Sequence, residues 1–131
     1  MTTPAPIENR TILLVDDEEA VRLIVVKILR RANYNVIEAS NGEEALKIAD
    51  SHSGPIDLVV TDMFMPGMRG PEVIQNLTAK RQGLRVLFMS GYADHDPNLG
   101  VPFGASFLGK PFSGQELAAA VDSALKSSPI N

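Results

Sequence analysis

The chain has 131 residues, of which 44% are hydrophobic and 21% are charged, and its formal net charge at neutral pH is −4. This length fits one globular domain, and the mild negative charge argues against bulk electrostatic attraction to nucleic acid. The absence of cysteine rules out disulfides and thiol catalysis. No apolar run approaches the ~20 residues of a membrane-spanning helix, and residues 1–6 lack the features of a signal peptide. We therefore expect a cytoplasmic protein without a membrane partner or a direct nucleic-acid partner.

Short apolar runs alternate with helical patterns along the chain. We predict strands over residues 11–15, 35–39, 56–61, 85–89 and 105–109. Helices are predicted over residues 18–32, after the sequence at 40–43, from the Gly-Pro-Glu sequence at 70–72, and after the sequence at 113–116. In this interpretation residues 1–10 are a flexible leader, residues 11–126 form the domain and residues 127–131 are a frayed tail.

Three local patterns refine these predictions. Residues 40–43 and 113–116 both begin with serine and end with glutamate, which is the spacing of a helix capping box. Residues 93–104 contain two prolines and two glycines and support at most a short, irregular helix. The helix over 18–32 is predicted to bury one apolar stripe, made of Val21, Ile24, Val25, Ile28 and Leu29.

Five strands alternating with helices predict a doubly wound α/β fold, in which helices cover both faces of a parallel sheet. In such a sheet, ligands bind beyond the carboxyl ends of the strands. Polar residues stand directly after four of the predicted strands, so their side chains are expected to converge at one edge. They are Asp16 and Asp17 after the first strand, Asp62 after the third, Ser90 after the fourth and Lys110 after the fifth.

These residue types suit phosphoryl chemistry on a metal. Two like charges about 4 Å apart repel by roughly 4 kcal/mol at an effective dielectric near 20, so clustered carboxylates favour a bound cation. Oxygen ligands with retained waters suit Mg²⁺. A carboxylate such as Asp62 can attack phosphorus and form an aspartyl phosphate. Lys110 would then pair with one phosphoryl oxygen, and Ser90 would donate a hydrogen bond to another.

The same residues resemble a known family. Asp16-Asp17, the run from Asp62 through Met65-Pro66-Gly67 to Gly70, Ser90-Gly91 and the Phe107 to Phe112 sequence resemble the receiver domain of two-component response regulators, over residues 10–126. The resemblance implies a flavodoxin-like sheet of order 2-1-3-4-5. It also implies a signalling module that catalyses only its own phosphorylation and dephosphorylation and is not a conventional enzyme.

The resemblance assigns a role to each site residue. It implies that Asp62 is the phosphoacceptor and takes its phosphoryl group from a histidine kinase or a histidine phosphotransfer protein. Asp17 and Asp62 would bind Mg²⁺, together with Asp16, directly or through water, and the backbone carbonyl of Phe64.

Three further residues have roles by the same resemblance. Ser90 is similar to the hydroxyl that moves towards the phosphoryl group, and Phe107 to the aromatic residue whose rotamer follows it. Lys110 is similar to the phosphate-pairing lysine, and its bond to Pro111 is cis in that family.

Two features differ from the usual receiver pattern. Residues 93–104 replace the usual fourth helix, which places downstream signalling by that surface in question. Phe64 and Tyr92 are bulky where this family controls water access, so we expect them to slow hydrolysis of the phosphorylated aspartate.

The Ser-Gly-Tyr and Phe-Leu-x-Lys-Pro-Phe sequences are most similar to receivers of hybrid sensor kinases. Whether the chain acts alone in a phosphorelay or belongs to a larger protein, and whether it forms a homodimer, stays open at this stage.

Other interpretations were weighed against the receiver. Taken singly, the acids at 16–19 suit the start of a helix, Asp62 and Ser90-Gly91 suit turns, and Phe107 suits core packing. An aspartate-nucleophile phosphatase usually carries a second acid where this chain has Phe64. A flavin-binding module would need a hydroxyl- and glycine-rich loop where this chain has four acids. A receiver-like protein-binding module that is never phosphorylated is the remaining alternative.

Overall fold

The computed structural model describes residues 10–91 and 100–130, which fold into one five-stranded parallel sheet. The sheet order is β2-β1-β3-β4-β5, which confirms the predicted doubly wound topology. The strands are β1 (Thr11–Val15), β2 (Asn35–Ala39), β3 (Leu58–Asp62), β4 (Val86–Gly91) and β5 (Ser106–Lys110). The helices are α1 (Glu19–Arg31), α2 (Gly42–Ser51), α3 (Gly70–Thr78) and α4 (Gly114–Lys126), with a short 3-10 turn at Pro102–Gly104. In these two ranges no helix is long and apolar enough to cross a bilayer.

The sheet is covered on both faces, which explains why its central strands are apolar throughout. Side chains alternate between the two faces along each strand. On β1, Leu13 and Val15 face the core formed with α2 and α3, whereas Ile12 and Leu14 face the core formed with α1 and α4. All five residues of β1 and all five of β3 are buried. The polar residues at the ends of β1 and β3 are therefore attached to fully buried strands.

The two predicted capping boxes have different outcomes. At α4 the box is confirmed, because Ser113 Oγ accepts from the Glu116 amide at 3.1 Å and the Glu116 side chain accepts from the Ser113 amide at 3.0 Å. At α2 the predicted serine is wrong by one position. Asn41 is the N-cap there, its Oδ1 accepting from the Glu44 amide at 2.8 Å. Asn41 is an equally good cap residue, and the Glu44 side chain reaches back to the Ser40 amide at 2.9 Å.

The apolar stripe of α1 is also rotated relative to the prediction. Val25, Val26 and Leu29 are buried, whereas Ile24 is 58% exposed and the adjacent Leu23 is 53% exposed. The periodicity locates the apolar side of the helix, but the position of the sheet and α4 decides which of its edges is covered. The consequence is an exposed apolar surface on α1.

The segment that replaces the usual fourth helix is described only from residue 100 onwards. There a single 3-10 turn is present, and Phe103 within it has a positive φ of 62° and is 46% exposed. The predictions for Tyr92 and for residues 93–99 fall outside the described residues, as do residues 1–9 of the leader predicted over residues 1–10.

The C-terminal segment differs from the predicted frayed tail. Arg85 Nε donates to the Ser127 carbonyl at 2.8 Å, and the Ile130 amide donates to the Leu84 carbonyl at 2.9 Å. The Ile130 side chain packs against the core on the α2 and α3 face. Burial of this one apolar side chain, together with two hydrogen bonds, holds residues 127–130 against the start of β4.

Candidate functional site

The carboxyl edge of the sheet brings together acids from two neighbouring strands. Asp16 follows β1 and Asp62 ends β3, and these two strands pair directly. Asp16, Asp17 and Asp62 each offer a carboxylate oxygen, and these three oxygens all lie within 4.8 Å of one another. The convergence expected from the strand ends is therefore present.

Lys110 lies at the end of β5 and reaches the acids across the end of β4. Its Nζ donates a hydrogen bond to Asp62 Oδ2 at 3.0 Å and lies 3.7 Å from Asp16 Oδ2. It also lies 3.5 Å from Oε1 of Glu18, an exposed side chain that the sequence analysis treated only as part of a helix start. The single charge of Lys110 is thus shared among several carboxylates, and these described residues together carry an excess of negative charge.

Burial raises the pKa of both buried acids. Asp16 has no exposed surface and Asp62 is 6% exposed, and loss of water disfavours their charged forms. Hydrogen bonds and the Lys110 charge oppose this rise, but they do not cancel it. Burial alone would lower the pKa of Lys110, yet its hydrogen bond to Asp62 and the nearby acids outweigh that effect and raise it. These pKa shifts favour the charged form of Lys110 and the neutral forms of the two acids.

The acid cluster fits a divalent cation. Asp16 Oδ1 accepts from the Glu18 amide at 2.9 Å, whereas Asp16 Oδ2 is buried and has no hydrogen-bond partner among residues 10–91 and 100–130. An unpartnered buried carboxylate oxygen is costly, and a cation among three carboxylates would remove that cost. Hard oxygen donors of this kind suit Mg²⁺ or Ca²⁺. The donor set thus agrees with the predicted metal site at Asp16, Asp17 and Asp62.

The loop after β3 is held tightly beside Asp62. The Gly70 amide closes the loop by donating to the Met63 carbonyl at 2.9 Å. A Cβ at Gly70 would overlap the Asp62 carbonyl oxygen and lie 3.1 Å from the Met63 Cα. Glycine is therefore required here for close packing of the α3 start against the acid. From the sequence, Gly70 was predicted only to begin a helix, because a contact between backbones leaves no local pattern.

The side chain of Phe64 stands at the outer rim of this loop. It is 39% exposed, and the Arg69 guanidinium lies over its ring at 5.4 Å from the centroid. This contact was not anticipated from the sequence.

The remaining predicted residues, Ser90 and Phe107, lie on the paired strands β4 and β5. Ser90 is buried at the end of β4, and its Oγ donates to the Gly91 carbonyl at 3.4 Å. Phe107 lies on β5 opposite Phe88 and is half-buried against the core on the α2 and α3 face. The bond between Lys110 and Pro111 is cis, as the resemblance implied.

Comparison with known proteins identifies the family. A model of the response regulator receiver domain matches residues 12–122. The sensor kinase CckA of Brucella abortus is 41% identical over 120 residues, which cover 90% of this chain and 13% of that protein. Sporulation initiation phosphotransferase F of Bacillus subtilis is 32% identical over 115 residues, covering 86% of this chain and 91% of that protein.

The solved structures agree. The crystal structure of the receiver domain from the hybrid histidine kinase CckA matches with a TM-score of 0.75 and 36% identity, covering 88% of this chain and 99% of that one. The chain spans about half or less of the length of the first curated relatives it matches. The chain belongs to the response regulator receiver domain family of two-component signalling.

Proposed function

We propose that this chain is a phosphoacceptor, in which Asp62 takes a phosphoryl group from a phosphohistidine in the presence of Mg²⁺. The observation that carries the proposal is the position of Asp62. Its carboxylate lies in a cluster of three acids, with Lys110 Nζ at 3.0 Å from its Oδ2. The acids suit a metal, and the lysine suits the phosphoryl group that the aspartate would receive.

The transfer is a displacement at phosphorus. A carboxylate oxygen of Asp62 forms the new P–O bond, the P–N bond to the donor imidazole breaks, and that imidazole nitrogen keeps the electron pair and takes up a proton. Lys110 then exchanges its contact with the Asp62 carboxylate for one with a phosphoryl oxygen. The raised pKa of Lys110 keeps it protonated for this role.

The metal would be held by the carboxylates of Asp16, Asp17 and Asp62 and by the backbone carbonyl of Phe64. When bound, Mg²⁺ supplies charge neutralisation for the transferring phosphoryl group. The chain's own contribution is to hold the acids in place, because the Glu18 amide donates to Asp16 Oδ1 at 2.9 Å and Lys110 Nζ donates to Asp62 Oδ2 at 3.0 Å.

Ser90 and Phe107 form the proposed switch. Ser90 is buried at the end of β4, and its hydroxyl donates to a backbone carbonyl at the long distance of 3.4 Å. Because this hydrogen bond is weak, the hydroxyl loses little hydrogen-bond energy when it moves to a phosphoryl oxygen. Phe107 is half-buried on the neighbouring strand. A rotamer change at Phe107 would carry the signal from the acids to the outer surface of β5.

The exposed apolar surface of α1 is a suitable docking site for a phosphohistidine protein. Ile24 lines a cleft with Val21, Pro111 and Phe112, and Lys110 stands at the same cleft. Because Lys110 also contacts Asp62, a helix docked on this cleft would bring its phosphohistidine close to the acceptor. The partner is thus a histidine kinase or a histidine phosphotransfer protein, and recognition is by apolar contact. We place the chain in a phosphorelay, in keeping with the phosphotransferase among its relatives.

Phosphorylation by acetyl phosphate tests the proposal directly. Intact mass measured after incubation with Mg²⁺ should show a gain of one phosphoryl group. The gain should disappear with EDTA and in Asp62→Asn, and it should persist in the control Asp50→Asn, which changes an exposed acid paired with Lys80.

No mass gain with a folded protein would direct attention to the remaining alternative, a receiver-like binding module that is never phosphorylated. Beryllofluoride binding separates the two cases. A module that binds neither beryllofluoride nor Mg²⁺ would contradict the proposed function.

A further inference from the structure

Arg22 connects the acid cluster to the rest of the sheet. It lies in the second turn of α1, and its side chain is only 16% exposed. Its Nη1 donates to the main-chain carbonyl of Asp16 at 2.7 Å, and its Nε lies 3.5 Å from Oε1 of Glu38 on β2. A single guanidinium therefore bridges the end of β1 and the neighbouring strand.

Asp16 is held by three described hydrogen bonds, and each one limits where its carboxylate can point. Its amide donates to the Ala39 carbonyl at 3.1 Å, its Oδ1 accepts from the Glu18 amide at 2.9 Å, and its carbonyl accepts from Arg22. Among these bonds only the one from Arg22 has a side-chain donor. The buried Oδ2 accepts no hydrogen bond from the described residues, and it lies 3.7 Å from Lys110 Nζ, which also contacts Asp62.

We propose that Arg22 is a positioning residue for the divalent cation site. By fixing the Asp16 carbonyl it keeps the Asp16 carboxylate oriented towards the carboxylates of Asp17 and Asp62. Removing a group that contacts and orients a metal ligand, without binding the metal itself, commonly weakens metal affinity by 10- to 100-fold. The inference rests on the proposed function only in taking Mg²⁺ as the cation, and it concerns binding that precedes any phosphoryl transfer.

The charge of Arg22 and its position have opposite expected effects on Mg²⁺ binding. A positive charge near a cation site opposes cation binding, although Glu38 partly neutralises it here. If charge decided the effect of Arg22, removing it would tighten Mg²⁺ binding. If position decides the effect, removing the guanidinium fork weakens Mg²⁺ binding whether or not the charge is kept.

Two substitutions at Arg22 separate these possibilities. Arg22→Lys keeps the charge but loses the fork that contacts two partners at once, and Arg22→Gln loses both. Arg30→Lys is the matched control, because Arg30 pairs with the same Glu38 at 3.8 Å and donates to the Val36 carbonyl at 3.3 Å, not to Asp16. The Mg²⁺ dissociation constant of each full chain is measured by calorimetry, and folding is checked by a thermal melt in EDTA.

We expect both Arg22 variants to weaken Mg²⁺ binding by about tenfold, and Arg30→Lys to leave it unchanged. The Mg²⁺ concentration that gives half-maximal phosphorylation by acetyl phosphate should rise by the same factor, while the rate at saturating Mg²⁺ is retained. If Arg22 only stabilised the contact between α1 and β2, its substitution would lower the melting temperature without changing this Mg²⁺ concentration.

Three outcomes would overturn the inference. They are tighter binding in Arg22→Gln, unchanged binding in a folded Arg22→Lys, and equal weakening in Arg22→Lys and Arg30→Lys. These outcomes leave the proposed function intact as long as the native chain binds Mg²⁺ and is phosphorylated. A native chain that binds no Mg²⁺ would overturn both.

Discussion

Lys110 Nζ donates to Asp62 Oδ2 at 3.0 Å, although the two residues are 48 positions apart and end strands that do not pair with each other. The contact crosses the end of β4, where Ser90 is buried. It places the Lys110 cation on the acid that we propose as phosphoacceptor. Because the same lysine also lies near Asp16 and Glu18, its release from Asp62 on phosphorylation would change the balance of charge over the whole edge.

The first prediction concerns stability without metal. Burial and the nearby Asp17 charge raise the pKa of Asp62 in spite of its bond to Lys110, so ionised Asp62 destabilises the metal-free fold. Asp62→Asn should therefore melt a few degrees higher than the native chain in EDTA, and Mg²⁺ should narrow the difference by stabilising the native chain. Asp50→Asn, at an exposed ion pair worth ~0–1 kcal/mol, should not raise the melting temperature. A lower melting temperature for Asp62→Asn in EDTA would contradict the prediction.

The second prediction is the pH dependence of stability in EDTA. The pKa values of Asp16 and Asp62 are raised above the usual 3.8, so the folded chain holds these protons more tightly than the unfolded chain does. Their contribution to stability is fully present below the unfolded pKa and is lost as pH rises through the raised folded pKa. The free energy of unfolding by urea should thus decline as the pH rises above the usual aspartate pKa of 3.8. It should decline less in Asp62→Asn, and parallel profiles for the two proteins would be the contrary result.

The third prediction concerns the contact between Gly70 and the acceptor strand. A methyl group at this position overlaps the Asp62 carbonyl, so Gly70→Ala should cost about 1–3 kcal/mol and reduce phosphorylation by acetyl phosphate. Gly114→Ala is the matched control, because a Cβ there meets only the flexible end of Ile28 at 3.6 Å. Urea unfolding and intact mass measure the two effects. Equal unfolding free energies and equal phosphorylation of the two variants would contradict the prediction, because the loop after β3 would then accommodate the methyl group without loss of stability.

The fourth prediction concerns docking of the phosphohistidine protein on α1, as distinct from the phosphorylation chemistry of the acid cluster. Replacing Leu23 and Ile24 together by alanine removes exposed apolar surface from α1 without touching the acids. Transfer from a phosphohistidine protein should fall about tenfold, corresponding to ~1.4 kcal/mol of interface energy, while labelling by acetyl phosphate is unchanged. Phe103→Ala removes a similarly exposed apolar side chain outside α1 and should leave both reactions unaltered. If Phe103→Ala and the double variant slow transfer equally, α1 is not the docking surface.

The fifth prediction concerns the lifetime of the phosphorylated state. Phe64 stands beside Asp62 and its ring is covered by Arg69, so Phe64→Asn should admit water and shorten the lifetime severalfold. Arg69→Gln should shorten it less, because an exposed cation–π contact is worth only ~0.5–1 kcal/mol. The lifetime is followed by intact mass after removal of the donor. An unchanged lifetime in Phe64→Asn would contradict the role given to the ring.

The sequence by itself determined the alternation of strands and helices and the residues that end each strand. Both are local properties, since apolar periodicity and the first polar residue after it are read within a few positions. Once the strands are known to be parallel, their carboxyl ends must share an edge, so Asp16, Asp62 and Lys110 were identified without coordinates. The strand order and the cis bond at Pro111 came from the family resemblance.

Only the tertiary structure decided the contacts between elements. Ile24 is exposed because the sheet and α4 cover the opposite edge of α1, and no periodicity within the helix records where its neighbours lie. Gly70 is required by a backbone 8 positions earlier in the chain, and Arg22 reaches both the Asp16 carbonyl after β1 and Glu38 on β2. Such contacts depend on distances set by packing of the whole domain, which composition and spacing do not encode.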